Sequence, residues 1–239
     1  MAKIVSRKNK LKKKYYGRII LSIIYLFSAF VSFIGIIPTR GVSALIFILF
    51  AFLYFKNQTN IKILKHGLKG EQKALKQLSK LPKDYYVFSD ININIDNRSS
   101  QIDHIVVGYN GVFVIETKNL KGLVEVYSDN KVVRQSKVGK NGGEYSKTIY
   151  NPIKQVSTHV YKVSELLRRE DIKIWVQGVV FFVNEEATIK LQSKDIPVFS
   201  SSEHGDKRIL EFIINYRNRD GKLSESVQEE IVTALKTVC

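Results

Sequence analysis

Residues 102–119 read "IDHIVVGYNGVFVIETKN": two strand-like runs around an Asn-Gly pair, with Asp103, Glu116 and Lys118 standing where apolar residues would suit a strand. If Asn110 and Gly111 form a two-residue type I′ turn, Lys118 lies opposite Asp103 and Glu116 sits one diagonal step away. A four-residue loop instead sets Asp103 directly opposite Glu116. Both loops have even length, and strand side chains alternate with period two. Either register therefore puts the two acids and the lysine on one face. The other face is expected to carry Ile102, His104, Val106, Phe113, Ile115 and Thr117.

A fourth charged group comes from upstream. Leu64, Leu68, Glu71, Leu75 and Leu78 follow the spacing of one helical stripe, and Glu71 is in its middle. Burying that carboxylate unpaired would cost several kcal/mol, so it needs a partner. Packing this helix on the sheet would bring Glu71 towards Asp103, Glu116 and Lys118. Three carboxylates against one ammonium leave negative charge in excess. A hard divalent cation relieves it: Mg²⁺ binds through one or two carboxylates and accepts phosphate oxygens, with Mn²⁺ as a substitute. Such an ion with a lysine beside it suits hydrolysis of a phosphodiester. A buried ion-pair network is the competing structural reading.

Outward from this centre the chain changes character twice. Of its 239 residues, 38 are Lys or Arg and 22 are Asp or Glu, a net charge of +16. Residues 1–18 hold eight bases and no acid, a basic N-terminus. The stretch 19–37 then runs 19 positions without a charge, about 28 Å as a helix against a hydrocarbon core of about 30 Å. "PTRG" (38–41) interrupts, and apolar sequence resumes to Phe55. The reading is a transmembrane hairpin over 19–55, with spans 19–37 and 40–55. Lys56, Lys62 and Lys65 and the bases before residue 19 place both ends in the cytoplasm by the positive-inside rule. A bilayer is thus an expected partner, and the cell membrane the expected location. A single cysteine, Cys239, excludes an internal disulfide and a cysteine-built metal site.

After Phe55 the sequence predicts a helix at 60–81 and strands near 85–95, 101–108, 112–118 and 122–135, the last turning at "SDNK". Residues 137–150 have the composition of a flexible loop, whose Lys137, Lys140 and Lys147 are candidate contacts to nucleic-acid phosphates. Asn151 and Pro152 read as the N-cap and first position of a helix to about 170. A buried strand (174–183), a short strand (196–199) and helices near 203–217 and 223–237 complete a mixed α/β pattern. Residues 186–239 are expected to form a helical extension on the main domain.

"GLKGE" (67–71), "QIDHIVV" (101–107), "GVFVIETKN" (111–119) and "NPIKQ" (151–155) together resemble the nuclease-related domain, NERD, over about residues 60–185. That domain is similar to the PD-(D/E)xK nucleases, with a restriction-endonuclease-like αβββαβ core. The resemblance implies Asp103 and Glu116 as metal ligands, Lys118 as the catalytic lysine of an E-x-K motif, and Glu71 as the helix acid assisting the metal. It implies Gln155 as a support of the active site or of DNA. The related branch carries a tyrosine four residues after that glutamine, where this chain has His159. The implied activity is Mg²⁺-dependent cleavage, of DNA rather than RNA; a non-catalytic nucleic-acid- or protein-binding module of the same fold is the alternative.

Overall fold

The computed structural model describes residues 1–5, 10–127, 130–138, 142–192 and 196–238. The chain divides into two compact units, Asn9–Lys69 and Met1–Lys8 with Gly70–Cys239. The first is a helical hairpin built from α1 (Lys10–Ile34) and most of α2 (Val42–Leu78). Its tip turns through left-handed Arg40 and Gly41 (φ 52° and 89°), closed by the Gly41 N–H on the Ile36 carbonyl at 2.8 Å. The Thr39 hydroxyl then accepts the Ser43 N–H and caps α2. Both helices are long and apolar enough to cross a membrane. Ile23, Phe27, Phe30, Leu45 and Phe52 are each more than half exposed, which a buried soluble hairpin would not leave open. Polar contacts tie the helices together at the open end, where Asn57 Nδ2 donates to the Arg18 carbonyl (2.8 Å) and Gln58 Nε2 to Ser22 Oγ (2.8 Å).

The sequence predicts a break between the second span and the helix at 60–81, whereas α2 runs unbroken across it. "KNQTN" (56–60) contains neither Pro nor Gly, so nothing stops helix propagation once both flanks are helical.

The second unit centres on a six-stranded mixed sheet in the order β1-β2-β3-β4-β8-β10. Its strands are β1 (Lys3–Ile4), β2 (Tyr86–Ile95), β3 (Arg98–Gly108), β4 (Gly111–Lys118), β8 (Val176–Phe182) and β10 (Val198–Ser200). The meander β2–β3–β4 is antiparallel, and β8 runs parallel to β4. Helix α3 (Pro152–Arg169) returns the chain from β4's end of the molecule to β8, giving the αβββαβ core. Asn151 caps α3 by accepting the Ile153 N–H at 2.9 Å, with Pro152 in the first turn.

A second sheet has the order β7-β6-β5-β9, from β5 (Gly122–Tyr127), β6 (Val132–Val138), β7 (Glu144–Tyr150) and β9 (Ala187–Gln192). The expected loop at 137–150 is therefore largely strand, with residues 139–141 outside the described residues. Alternation of Ile149, Lys147 and Tyr145 against Val133, Gln135 and Lys137 pairs β7 to β6, a periodicity that the Gly and Lys content hides. The segment after residue 186 opens with β9 and β10 before its helices α4 (Gly205–Asn215) and α5 (Glu225–Lys236). On one side of the main sheet Ile105, Val112 and Val114 pack with Val156 and Val163 of α3 and with Val124, Val126 and Val133 of the second sheet. On the other, Val106, Phe113 and Ile115 meet Ala74 and Leu78 of α2 and Ile209 and Ile213 of α4. Ile102 joins the α3 side rather than the side expected, because β2 kinks at left-handed Asp90 (φ 54°) beside it.

Candidate active site

The β3–β4 hairpin settles its register through the turn. Gly108 pairs with Gly111 and His104 with Ile115, so Asp103 falls across from Glu116, the second of the two registers. Tyr109 and Asn110 form the turn. Asn110 is buried there: it accepts from the Tyr85 hydroxyl (3.0 Å) and donates to the carbonyls of Ile213 and Ile214. Gly111 (φ 142°) then enters the strand with a backbone that favours glycine.

At the far end of this ribbon the expected side chains meet. Asp103 Oδ2 accepts the Thr117 N–H at 2.9 Å, spending one carboxylate oxygen and fixing the strand ends. Glu116 is almost fully buried. Lys118 Nζ donates to Glu116 Oε1 at 2.7 Å and to Gln155 Oε1 of α3 at 2.9 Å. The other Glu116 oxygen, Oε2, makes no hydrogen bond and sits 3.3 Å from His159 Nδ1. Gln155 and His159 are four residues apart on one face of α3, so one helix presents both to the E-x-K motif.

The electrostatics separate the acids. Burial pushes the Glu116 carboxyl up, but His159 and Lys118 outweigh it and hold the group below the usual glutamate value. Asp103 is pushed well above its usual value by burial and by the Glu116 charge, against the pull of the Thr117 N–H. Glu71 is raised to about 7 by burial, then by Asp90 and Glu116. The helix acid thus belongs to the cluster as the stripe implied, and Asp90 is a fourth acid that sequence reasoning missed. Asp90 is buried and accepts from Gln101 Nε2 at 2.6 Å. Its one signal is an acid inside the strand run "YYVFSDININI". His104 Nδ1 lies 2.9 Å from Ser89 Oγ, and burial drops its pKa to about 4 against the pull of Glu116 and the Glu71 backbone. Lys137 and Lys147 lie on β6 and β7; Lys140 is outside the described residues.

Among the described residues no three His, Cys, Asp or Glu side chains converge as a finished metal centre. The donor chemistry nevertheless fits a hard divalent ion. Glu116 Oε2 is a buried oxygen without a hydrogen bond, and burial, then the charge of neighbouring acids, raises Asp103 and Glu71. Both strains are relieved by a cation among them.

A helix, a three-stranded meander, a second helix and a parallel strand, with charged groups gathered on β3 and β4, make up a mixed α/β domain of αβββαβ order. Over residues 66–183 the chain matches the model of the nuclease-related domain, NERD, and is similar to that family there. It is also similar to an uncharacterized protein of Bacillus anthracis, 34% identical over 108 residues, which is 44% of this chain and 48% of that protein. The match spans about half the length of that relative.

Proposed function

We propose that the protein is a membrane-anchored, Mg²⁺-dependent nuclease that hydrolyses phosphodiester bonds of DNA on the cytoplasmic side. The observation that carries this reading is Lys118, bound at once to buried Glu116 and to Gln155, beside Asp103 on the same face. An ammonium has three N–H donors, and two are spent holding its position. The third is free for a phosphate oxygen or the attacking water, where it stabilises the charge that develops at phosphorus. Asp103, Glu116 and Glu71 are the residues that would hold a divalent ion. Bound there, the ion would supply Lewis-acid activation of a water and of the scissile phosphate. Gln155 positions the lysine, and His159 crowds the Glu116 oxygen that faces α3.

Support for the membrane arrangement comes from both ends of the hairpin. β1 precedes α1 and pairs in parallel with β2, with Lys3 N–H on the Tyr85 carbonyl (2.8 Å) and Val5 N–H on that of Val87 (3.0 Å). The chain therefore leaves the sheet, makes the hairpin and returns to the same unit. An even number of crossings satisfies that path, and the bases around residues 10–18 and 56–69 favour the cytoplasm for it. The function is tested by incubating the full chain in detergent with supercoiled plasmid and single-stranded DNA, with Mg²⁺, Mn²⁺ or EDTA. Asp103→Asn and Lys118→Met are run in parallel. Cutting that needs the metal and both residues supports the proposal; cutting that survives both substitutions contradicts it.

A further inference from the structure

The β6–β7 ribbon has two different faces. Register places Lys137 across from Tyr145, Gln135 across from Lys147 and Val133 across from Ile149. Alternation puts all six side chains on one face, leaving Arg134, Ser136, Glu144, Ser146 and Thr148 on the other. The lysine-bearing face is the inner one. Val133 packs in the same cluster as Val114 of β4 and Val156 of α3, the side of the main sheet that carries Glu116 and Lys118. The ribbon is joined to the site closely. Gln135 Nε2 donates to the Lys121 carbonyl at 2.6 Å, and a Cβ on Gly122 would lie 3.1 Å from Lys137 Cγ. Lys137 thus passes over the backbone four residues beyond Lys118.

Along this face the character changes from apolar to cationic and aromatic. Val133 is buried, Lys147 is exposed, and Tyr145 is 55% exposed. Among the described residues no carboxylate pairs with Lys137 or Lys147. An exposed aromatic ring on a strand, between two free ammonium groups and beside a hydrolytic centre, has the chemistry of a stacking platform for an unpaired base. Its lysines are placed to take the flanking phosphates. A paired duplex offers no ring face to Tyr145, because its bases are already stacked on each other.

We propose that the β6–β7 ribbon grips the substrate and selects single-stranded nucleic acid, with Tyr145 stacking on a base and Lys137 and Lys147 contacting the backbone. This rests on the nuclease reading above. The test is binding by the full chain, in detergent and EDTA, of a labelled single-stranded oligonucleotide and of the duplex of the same sequence. Tyr145→Ala is expected to weaken single-strand binding about tenfold or more, with duplex binding changed less than about twofold. Tyr145→Phe keeps the ring and is expected to bind as wild type. Lys147→Gln is expected to lower the salt dependence by about one phosphate contact. Equal binding of both forms by wild type and Tyr145→Ala overturns the proposal, as does an equal loss for both. Mg²⁺-dependent cleavage that Tyr145→Ala leaves unchanged overturns the ribbon's role while sparing the nuclease reading; absence of cleavage by wild type overturns that reading instead.

Discussion

His159 Nδ1 of α3 lies 3.3 Å from Glu116 Oε2 of β4, and both side chains are buried. On the other side of the same carboxylate Lys118 donates to Oε1. The glutamate is held between an imidazole and an ammonium, and these keep it ionised in spite of its burial. Removing the imidazole leaves Oε2, already without a hydrogen bond, with no polar neighbour, so the burial of the charge is offset less. His159→Ala is therefore expected to lower the melting temperature of the metal-free protein, and Mg²⁺ to recover part of it. Unchanged melting would show that Lys118 alone suffices.

The raised carboxyls predict an unusual pH dependence. Glu71 titrates near 7 in the fold and near 4.5 in the unfolded chain, so between these values the native state binds more protons. Stability contributed by this group therefore falls as pH rises from about 5 to 7.5, and Asp103 acts in the same direction. Glu116, whose carboxyl is depressed, loses its contribution only as pH drops below about 4.5, outside this window. Glu71's own share of the melting profile in EDTA, read as wild type against Glu71→Gln, is expected to decline over that interval by about 1–2 kcal/mol, allowing for its partial exposure. His104, lowered to about 4 by burial, acts in the opposite direction below about 6.5. Glu71→Gln should flatten the profile. A profile indifferent to Glu71→Gln contradicts the cluster's electrostatics.

Much of this site was legible because strand and helix periods are rigid. Once Asp103, Glu116 and Lys118 alternate in a hairpin, they share a face whichever turn is chosen, and the 3–4 spacing of Leu68, Glu71 and Leu75 aims the helix acid inward. What stayed hidden depends on contacts distant in sequence. The choice between two registers rests on Asn110 being clipped by Tyr85 and by carbonyls of α4. Asp90 looked like one polar residue in a strand until its left-handed backbone turned it among the acids. β1 is two residues long and has no pattern to read, and β7 is masked by loop-like composition.

Gly70 offers a test of how closely α2 must approach. A Cβ there would lie 2.7 Å from Asn119 Cβ and 3.5 Å from Val183. Gly70→Ala would push the helix away from the ends of β4 and β8, at a cost of about 1–3 kcal/mol for overpacking. It is expected to move Glu71 out of reach and to weaken Mg²⁺ binding, measured by the metal's shift of the melting temperature. A metal response equal to wild type would mean that Glu71 is not a ligand.

The strand ahead of the first helix makes a topological prediction. With β1 and everything after Gly70 in one unit, epitope tags at residue 1 and at the C-terminus should fall on one side of the membrane. Protease treatment of sealed inside-out and right-side-out vesicles reads this directly. Both tags should be cleaved in the inside-out preparation and both protected in the other. Opposite behaviour of the two tags would rule out an even number of crossings.

The central claim, that the cluster around Glu116 cuts phosphodiesters, is tested most directly by Glu116→Gln in the full chain, assayed for DNA cleavage with Mg²⁺ and with EDTA. The substitution preserves shape and the chance of hydrogen bonds to Lys118 while removing the charge. Wild type is expected to cut only with the metal, and Glu116→Gln to cut at least about 100-fold more slowly with its fold intact. Equal cleavage by the two proteins, or no cleavage by a folded wild type that binds Mg²⁺, would contradict it.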